Sequence, residues 1–213
     1  MRAIAVLLAA GLLAGCTGAS YFPPSLFEAG TPCDHGDGWT GEVAMDDFRS
    51  DWYSSHLRAA REPRLGGEAS LHAVGGIGVL RFTWLRSFDA PVMVRVEAMA
   101  DDSLRLTATE LSGAGGYGPG RVARRAERLL SADEARRLIA LVNSAKVLDP
   151  PPTCPPSEID EVVVYADGAS WIIEANGPGG YRFVDHHSPR SGPVHDLGLH
   201  LLGLTGWTYD RVY

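Results

Sequence analysis

The chain has 213 residues and a formal charge of −7, enough for one domain or two small ones with a sizeable core. That acidity argues against nucleic acid or anionic lipid as a general partner and reads equally well as a solubility device. Lys146 is the only lysine among many arginines, a bias that carries no mechanism.

Met1-Arg2 supplies one positive charge, and Ala3 to Leu13 is an apolar run of secretory length, too short to span a bilayer. Small residues then lead into a cysteine, and Leu12-Leu13-Ala14-Gly15-Cys16 resembles the lipobox of bacterial lipoproteins. The resemblance implies that residues 1–15 are a signal peptide and that Cys16 carries a diacylglycerol thioether, with its amino group often acylated as well, by palmitate for example. Two or three long chains, at roughly 0.8 kcal/mol per buried CH₂, anchor far more firmly than one. Thr17, where aspartate is absent, is the pattern that goes with export to the outer membrane in enteric bacteria. With Cys16 assigned to lipid, Cys33 and Cys154 are an even pair in an oxidising compartment and are expected to form a disulfide. Closing a loop of about 120 residues contributes at most roughly 4 to 5 kcal/mol. A free thiol or a zinc site is the alternative, although two isolated cysteines are too few for zinc.

Residues 16–44 read as the lipidated cysteine and a flexible tether rich in Gly, Pro, Ser and Thr, and residues 45–213 as one domain. Asp46 or Asp47 caps a predicted helix that runs to about Arg61, with Met45, Phe48, Trp52 and Ala59 on an apolar stripe. Three strands follow at Val79 to Leu85, Val92 to Ala98 and Ser103 to Leu111, the second alternating Val92, Val94, Val96 against Met93, Arg95, Glu97. The glycine-rich run Gly113 to Gly120 reads as a mobile turn. Ser131-Ala132-Asp133-Glu134 is a capping box for a helix with Ala135, Leu138, Ile139, Val142 and Ala145 on one face. A second meander is expected from Glu161 to Tyr165, Ala169 to Ala175 and Tyr181 to His186, with turns at Asp167-Gly168 and Asn176-Gly177. A last helix spans Pro193 to Leu202. The order predicts an α+β domain: an antiparallel β-sheet of two three-stranded meanders, with about three helices packed on one face.

The runs Arg81 to Phe88, Gly115 to Gly120 and Asp167 to Glu174, with Ser188-Pro189 before the last helix, resemble an uncharacterised family of bacterial envelope proteins. The similarity covers most of the chain from about Phe48. No activity is known for that family, so it supports the domain reading and adds no function. Its members more often carry a basic and an aromatic residue at the position of His186-His187, which weighs against a metal role for that pair.

Few constellations offer chemistry. Gly113 to Gly118 matches G-x-G-x-x-G, but Pro119-Gly120 follows where a helix should begin. There is no G-x-S-x-G elbow. Asp34 to Gly38 lacks the alternating carboxylates and the closing glutamate of a calcium loop. Asp185, His187 and His195 are the candidate metal ligands, the first two sharing a strand face and the third reaching across a short loop. Arg81, Trp84, Arg86, Tyr117 and Trp171 have the composition of an interface. The expected protein is a lipid-anchored cell-envelope module, non-catalytic and without cofactor. It would be held to the membrane by Cys16, facing the periplasm if the source is Gram-negative, and would bind an envelope protein or cell-wall partner. The alternative is a metal-binding protein or metal-assisted hydrolase.

Overall fold

The computed structural model describes residues 19–28, 45–70, 72–146 and 167–213. Cys16, Cys33, Cys154 and the strand expected at 161–165 lie outside the described residues. The described residues form an α+β fold: one open six-stranded antiparallel sheet and three α-helices. No helix among the described residues is long and apolar enough to cross a membrane.

The strands are β1 (Val79–Arg86), β2 (Val92–Ala98), β3 (Leu104–Leu111), β4 (Val122–Leu129), β5 (Ala169–Gly177) and β6 (Gly180–His187), in the spatial order β4-β3-β2-β1-β5-β6. The first four form a continuous meander, and the β5–β6 hairpin adds to the free edge of β1. β4 was not expected. Its arginines obscure any apolar alternation, and it forms an edge strand with mostly exposed residues. Asn176 is not in the hairpin turn but within β5, where its side-chain amide donates to the carbonyls of Leu65 (2.7 Å) and Glu68 (3.2 Å).

The helices are α1 (Asp47–Ala59), α2 (Ala132–Ala145) and α3 (Pro193–Leu204), and they do not share one face of the sheet. Leu80, Phe82, Trp84, Val92, Val94, Val96, Trp171 and Ile173 point to the side covered by α2 and α3, forming the larger core. The opposite side is covered by α1, through Tyr53, Leu57 and Ala60 against Leu85, Met93 and Ile172. That second face is unusually polar, with Arg81, Thr83, Arg95, Thr107 and Glu174 all buried. The helix that fits it buries Arg49, Ser50, Ser54 and His56 beside Tyr53 and Leu57. The expected stripe therefore fails at Phe48, which is 77% exposed, because α1 is matched to a polar surface. α2 carries its capping box as expected, with Glu134 N donating to Ser131 Oγ and Ser131 N to Glu134 Oε2.

Part of the presumed tether belongs to the domain. Ser20 Oγ lies 2.8 Å from Ser50 Oγ, Tyr21 N donates to Ser54 Oγ (3.0 Å), and Phe22 and Leu26 are buried in the α1-side core. Pro24–Phe27 forms one turn of 3-10 helix.

Candidate functional site

β1 ends at Arg86, β5 begins at Ala169 and β6 ends at His187, so these three termini, together with the start of α3, converge at one end of the sheet. A cleft of about 1070 Å³ opens there, lined by Trp171, His186, His187, Arg190, His195 and Arg211 among others. Trp171 is fully buried. Its indole N–H donates to the main-chain oxygen of Tyr213 at 2.9 Å, the oxygen that also receives the Trp84 indole at 3.1 Å. His195, in the first turn of α3, stacks on Trp171 with ring centroids 5.6 Å apart. The closing segment is held by alternating rings and guanidinium groups. Arg124 lies over Trp207 (4.1 Å), Arg86 lies over Trp84 (4.2 Å), and Tyr209 packs edge-on to Trp84. Tyr213 Oη donates to Asp89 at 2.6 Å. The spacing Trp207, Tyr209, Tyr213 was the available signal for this segment, but nothing local connects it to Arg86 and Arg124.

Phe88 lines the cleft and, at 58% exposed, touches Tyr117, 66% exposed, with ring centroids 6.1 Å apart. Tyr117 sits on the Gly113 to Gly120 run, which is strapped down and not a mobile turn. Gly115 N donates to Asp89 O (3.1 Å), Gly116 N to Ser87 O (3.2 Å) and Tyr117 N to Ala114 O (3.0 Å), while Trp52 Nε1 donates to Gly115 O (2.6 Å). A Cβ on Gly115 would stand 2.5 Å from the main-chain nitrogen of Arg86, so only glycine permits this approach. β4 follows the run, so the helix N-terminus that a dinucleotide would need is not there.

The other residues expected at an interface are interior. Arg81, Trp84 and Trp171 are 0% exposed and Arg86 is 5% exposed. Arg81 donates to Glu174 Oε2 through Nε and Nη2 (2.8 and 2.5 Å) and to Pro63 O (2.6 Å), which makes it a packing and ion-pair group. Of the five, Tyr117 alone is a surface group.

The candidate metal ligands do not converge. Asp185 faces α1, where its carboxylate accepts from Tyr53 Oη at 2.7 Å and lies 3.7 Å from Arg49 Nη1. Burial pushes its pKa above the ordinary range, opposed by the charge of Arg49 and by the tyrosine hydrogen bond. His187 Nε2 lies 3.2 Å from Asp167 O, and His195 is on the other side of the sheet against Trp171. Among the described residues, no group of three His, Cys, Asp or Glu is placed to hold a metal ion. Strand alternation puts Asp185 and His187 on the α1 side, whereas α3 covers the opposite one. Sequence reasoning missed the Tyr53–Asp185 pair because the two residues are far apart in the chain.

No family model matches the chain, and neither a curated protein nor a solved structure matches it significantly.

Proposed function

We propose that this chain is a lipid-anchored cell-envelope protein with a non-catalytic domain. Cys16 carries the anchor, and the domain faces the periplasm from the outer membrane if the source is Gram-negative. It engages a protein partner through the end of the sheet where the cleft meets Phe88 and Tyr117. One observation carries the reading: two exposed aromatic rings meet at the mouth of the cleft, one of them on a run that main-chain hydrogen bonds strap to Ser87 and Asp89. Exposed aromatic anchors that are already ordered lose little freedom on binding, and such rings dominate interface energetics. Arg190 and Arg211 line the cleft with Asp167, Arg211 lying 3.7 Å from Asp89, and the two arginines suit a partner that presents carboxylates.

The test is crosslinking in intact cells followed by capture of the tagged chain and mass spectrometry, with an unrelated lipoprotein domain as control. A protein recovered in near-stoichiometric yield with the parent, and lost with Phe88→Ala or Tyr117→Ala, supports the reading. Recovery of cell-wall fragments instead would replace the protein partner with a polymer. Recovery unchanged by both substitutions would remove this surface from the function. Cys16→Ala should abolish acylation, and a variant still processed and membrane-bound as the parent is would sink the anchor.

A further inference from the structure

Among the described residues, contacts begin at Ala19, close in sequence to the proposed lipid. Ala19 O accepts from Arg64 Nη2 at 2.9 Å and from Arg58 Nη2 at 3.5 Å. The same two guanidinium groups bracket the Tyr21 ring, 6.0 Å from its centroid for Arg58 and 5.6 Å for Arg64. Pro23 packs against the 64–66 segment so closely that a Cβ on Gly66 would stand 2.7 Å from its Cδ. Arg58, Arg61 and Arg64 are all exposed, in the last turn of α1 and the bend after it. The acidic residue within that bend, Glu62, is buried and points inward to Arg95; Asp51 and Glu68 are the exposed carboxylates flanking the stretch in sequence, and Glu28 is the exposed carboxylate of the 19–28 segment. In a chain of net negative charge, this is a local basic surface.

Cys16 precedes Ala19 by three residues, a separation of at most about 11 Å even in a fully extended chain. That is comparable with the screening length of roughly 8 to 10 Å at physiological ionic strength, so the arginines beside Ala19 cannot escape the field of a charged membrane surface. Arginine beside a half-buried tyrosine is also the pairing found where proteins meet headgroups.

We infer that Tyr21, Arg58, Arg61 and Arg64 form the membrane-facing surface of the protein, seated on the headgroup phosphates of the leaflet that holds the Cys16 acyl chains. The inference rests on the Cys16 anchor proposed above. It replaces a long flexible tether with a fixed orientation. The bend after α1 lies at the start of β1, where Asn176, the partner of Val79, donates to Leu65 O (2.7 Å), whereas Gly115 lies against Arg86 at the other end of that strand, at about 3.4 Å per residue. The Phe88–Tyr117 end therefore points away from the lipid, towards partners. The net acidity of the chain does not oppose this, because the contact is set by the charges nearest the surface.

The test uses the full acylated chain, with acylation verified by intact mass, reconstituted in vesicles of phosphatidylcholine and phosphatidylglycerol. Hydrogen exchange read by mass spectrometry is compared with that of a variant carrying a Gly/Ser insert of about ten residues between Gly18 and Ala19, long enough to lift the domain away. Peptides covering 19–23 and 56–66 are expected to exchange several-fold more slowly in the parent than in the insert variant, with 113–120 unchanged. Arg58→Glu with Arg64→Glu should raise exchange over the same peptides. Equal exchange in parent and insert variant, or protection centred on 113–120, would overturn the inference while leaving the anchor intact. An unacylated mass would overturn the anchor and this inference with it.

Discussion

Glu62 Oε2 lies 2.8 Å from Arg95 Nε and 3.8 Å from Arg81 Nη1 beneath the end of α1, with the Glu62 and Arg81 side chains fully withdrawn from solvent. The pair is the middle of a ladder of alternating charge that crosses the sheet. Tyr181 Oη donates to Glu174 (2.9 Å), Glu174 meets Arg81, Arg95 meets Glu97, and Glu97 meets Arg105 (3.1 Å). Each strand from β6 to β3 contributes a member, so the ladder specifies register as well as charge. Neutralising Glu62 leaves Arg81 with Glu174 and Arg95 with Glu97, so the loss is that of the charged hydrogen bonds to Glu62, about 1.5 to 3 kcal/mol, whereas an exposed pair contributes about 0 to 1 kcal/mol. Glu62→Gln should therefore lower the free energy of unfolding in denaturant by roughly 1.5 to 3 kcal/mol. Asp133→Ala, which removes the exposed partner of Arg136, should cost less than ~1 kcal/mol. Similar losses for the two variants would show that the ladder is not coupled.

Asp185 and Glu134 should give the stability profile opposite slopes. Burial raises the Asp185 pKa from its ordinary 3.8, so the folded state holds a proton that the unfolded chain has released. That group's contribution is then full below 3.8 and is lost as pH rises through the raised value. Glu134 is held down to about 2, first by the Arg128 hydrogen bond and then by Ser131 N, so its contribution is present above 4.5 and lost as pH falls towards 2. Asp185→Asn keeps an oxygen to accept from Tyr53. It should be at least as stable as the parent at neutral pH and flatten the decline above 3.8. Glu134→Gln should flatten the acid limb instead. Urea unfolding across this pH range reads both, and an Asp185→Asn profile parallel to that of the parent would remove Asp185 from the account.

These polar interiors explain where the sequence was legible. β1, β2 and β3 were visible because their α2/α3-side residues are apolar at every second position, Leu80-Phe82-Trp84 and Val92-Val94-Val96. α2 was visible because its cap and its apolar face are both local. α1 was misread at Phe48 because the surface it covers is built from Arg81, Arg95, Glu174 and Asp185, contributed by distant strands. β4 was hidden because Arg124 is covered by Trp207 and Tyr209, some eighty residues later. At the site, Tyr117 was readable as an exposed aromatic on a glycine run. The cleft needed the start of α3 and the closing Trp207 to Tyr213 segment to meet the ends of β5 and β6, and no spacing along the chain encodes that meeting.

The presentation of Tyr117 depends on one backbone contact. Gly115→Ala places a methyl carbon 2.5 Å from both N and O of Arg86, atoms of a central strand that cannot retreat. The run would have to lift, losing the Trp52 bond to Gly115 O and the Gly115 and Gly116 bonds to Asp89 and Ser87. Strain of this kind typically costs about 1 to 3 kcal/mol. Partner capture should fall as far with Gly115→Ala as with Tyr117→Ala, although the tyrosine itself is untouched. Gly118→Ala, with nothing within 4 Å of its Cβ, should keep full capture. Capture retained by Gly115→Ala would show that the rigid presentation of Tyr117 is irrelevant.

Gly198 and Gly203 lie on the same helix and should respond oppositely to the same substitution. A Cβ on Gly198 would stand 2.4 Å from Trp171 Cζ3 and 3.2 Å from Phe82 Cε2, two rings in the fully buried core. Gly203 is exposed, and its Cβ would meet nothing within 4 Å. Alanine in place of glycine favours a helix by roughly 0.8 to 1 kcal/mol at either position. At Gly203 that gain stands alone, so Gly203→Ala should raise the unfolding temperature. At Gly198 it is opposed by overpacking of about 1 to 3 kcal/mol, because a ring wedged between Phe82, Trp84 and His195 has no empty space to enter. Gly198→Ala should therefore lower the unfolding temperature. It should also shift the Trp171 indole N–H resonance, since the ring that moves is the floor of the cleft and its nitrogen is bonded to Tyr213. An indole signal left in place, with stability raised at both positions, would mean that α3 is not seated on Trp171 as described.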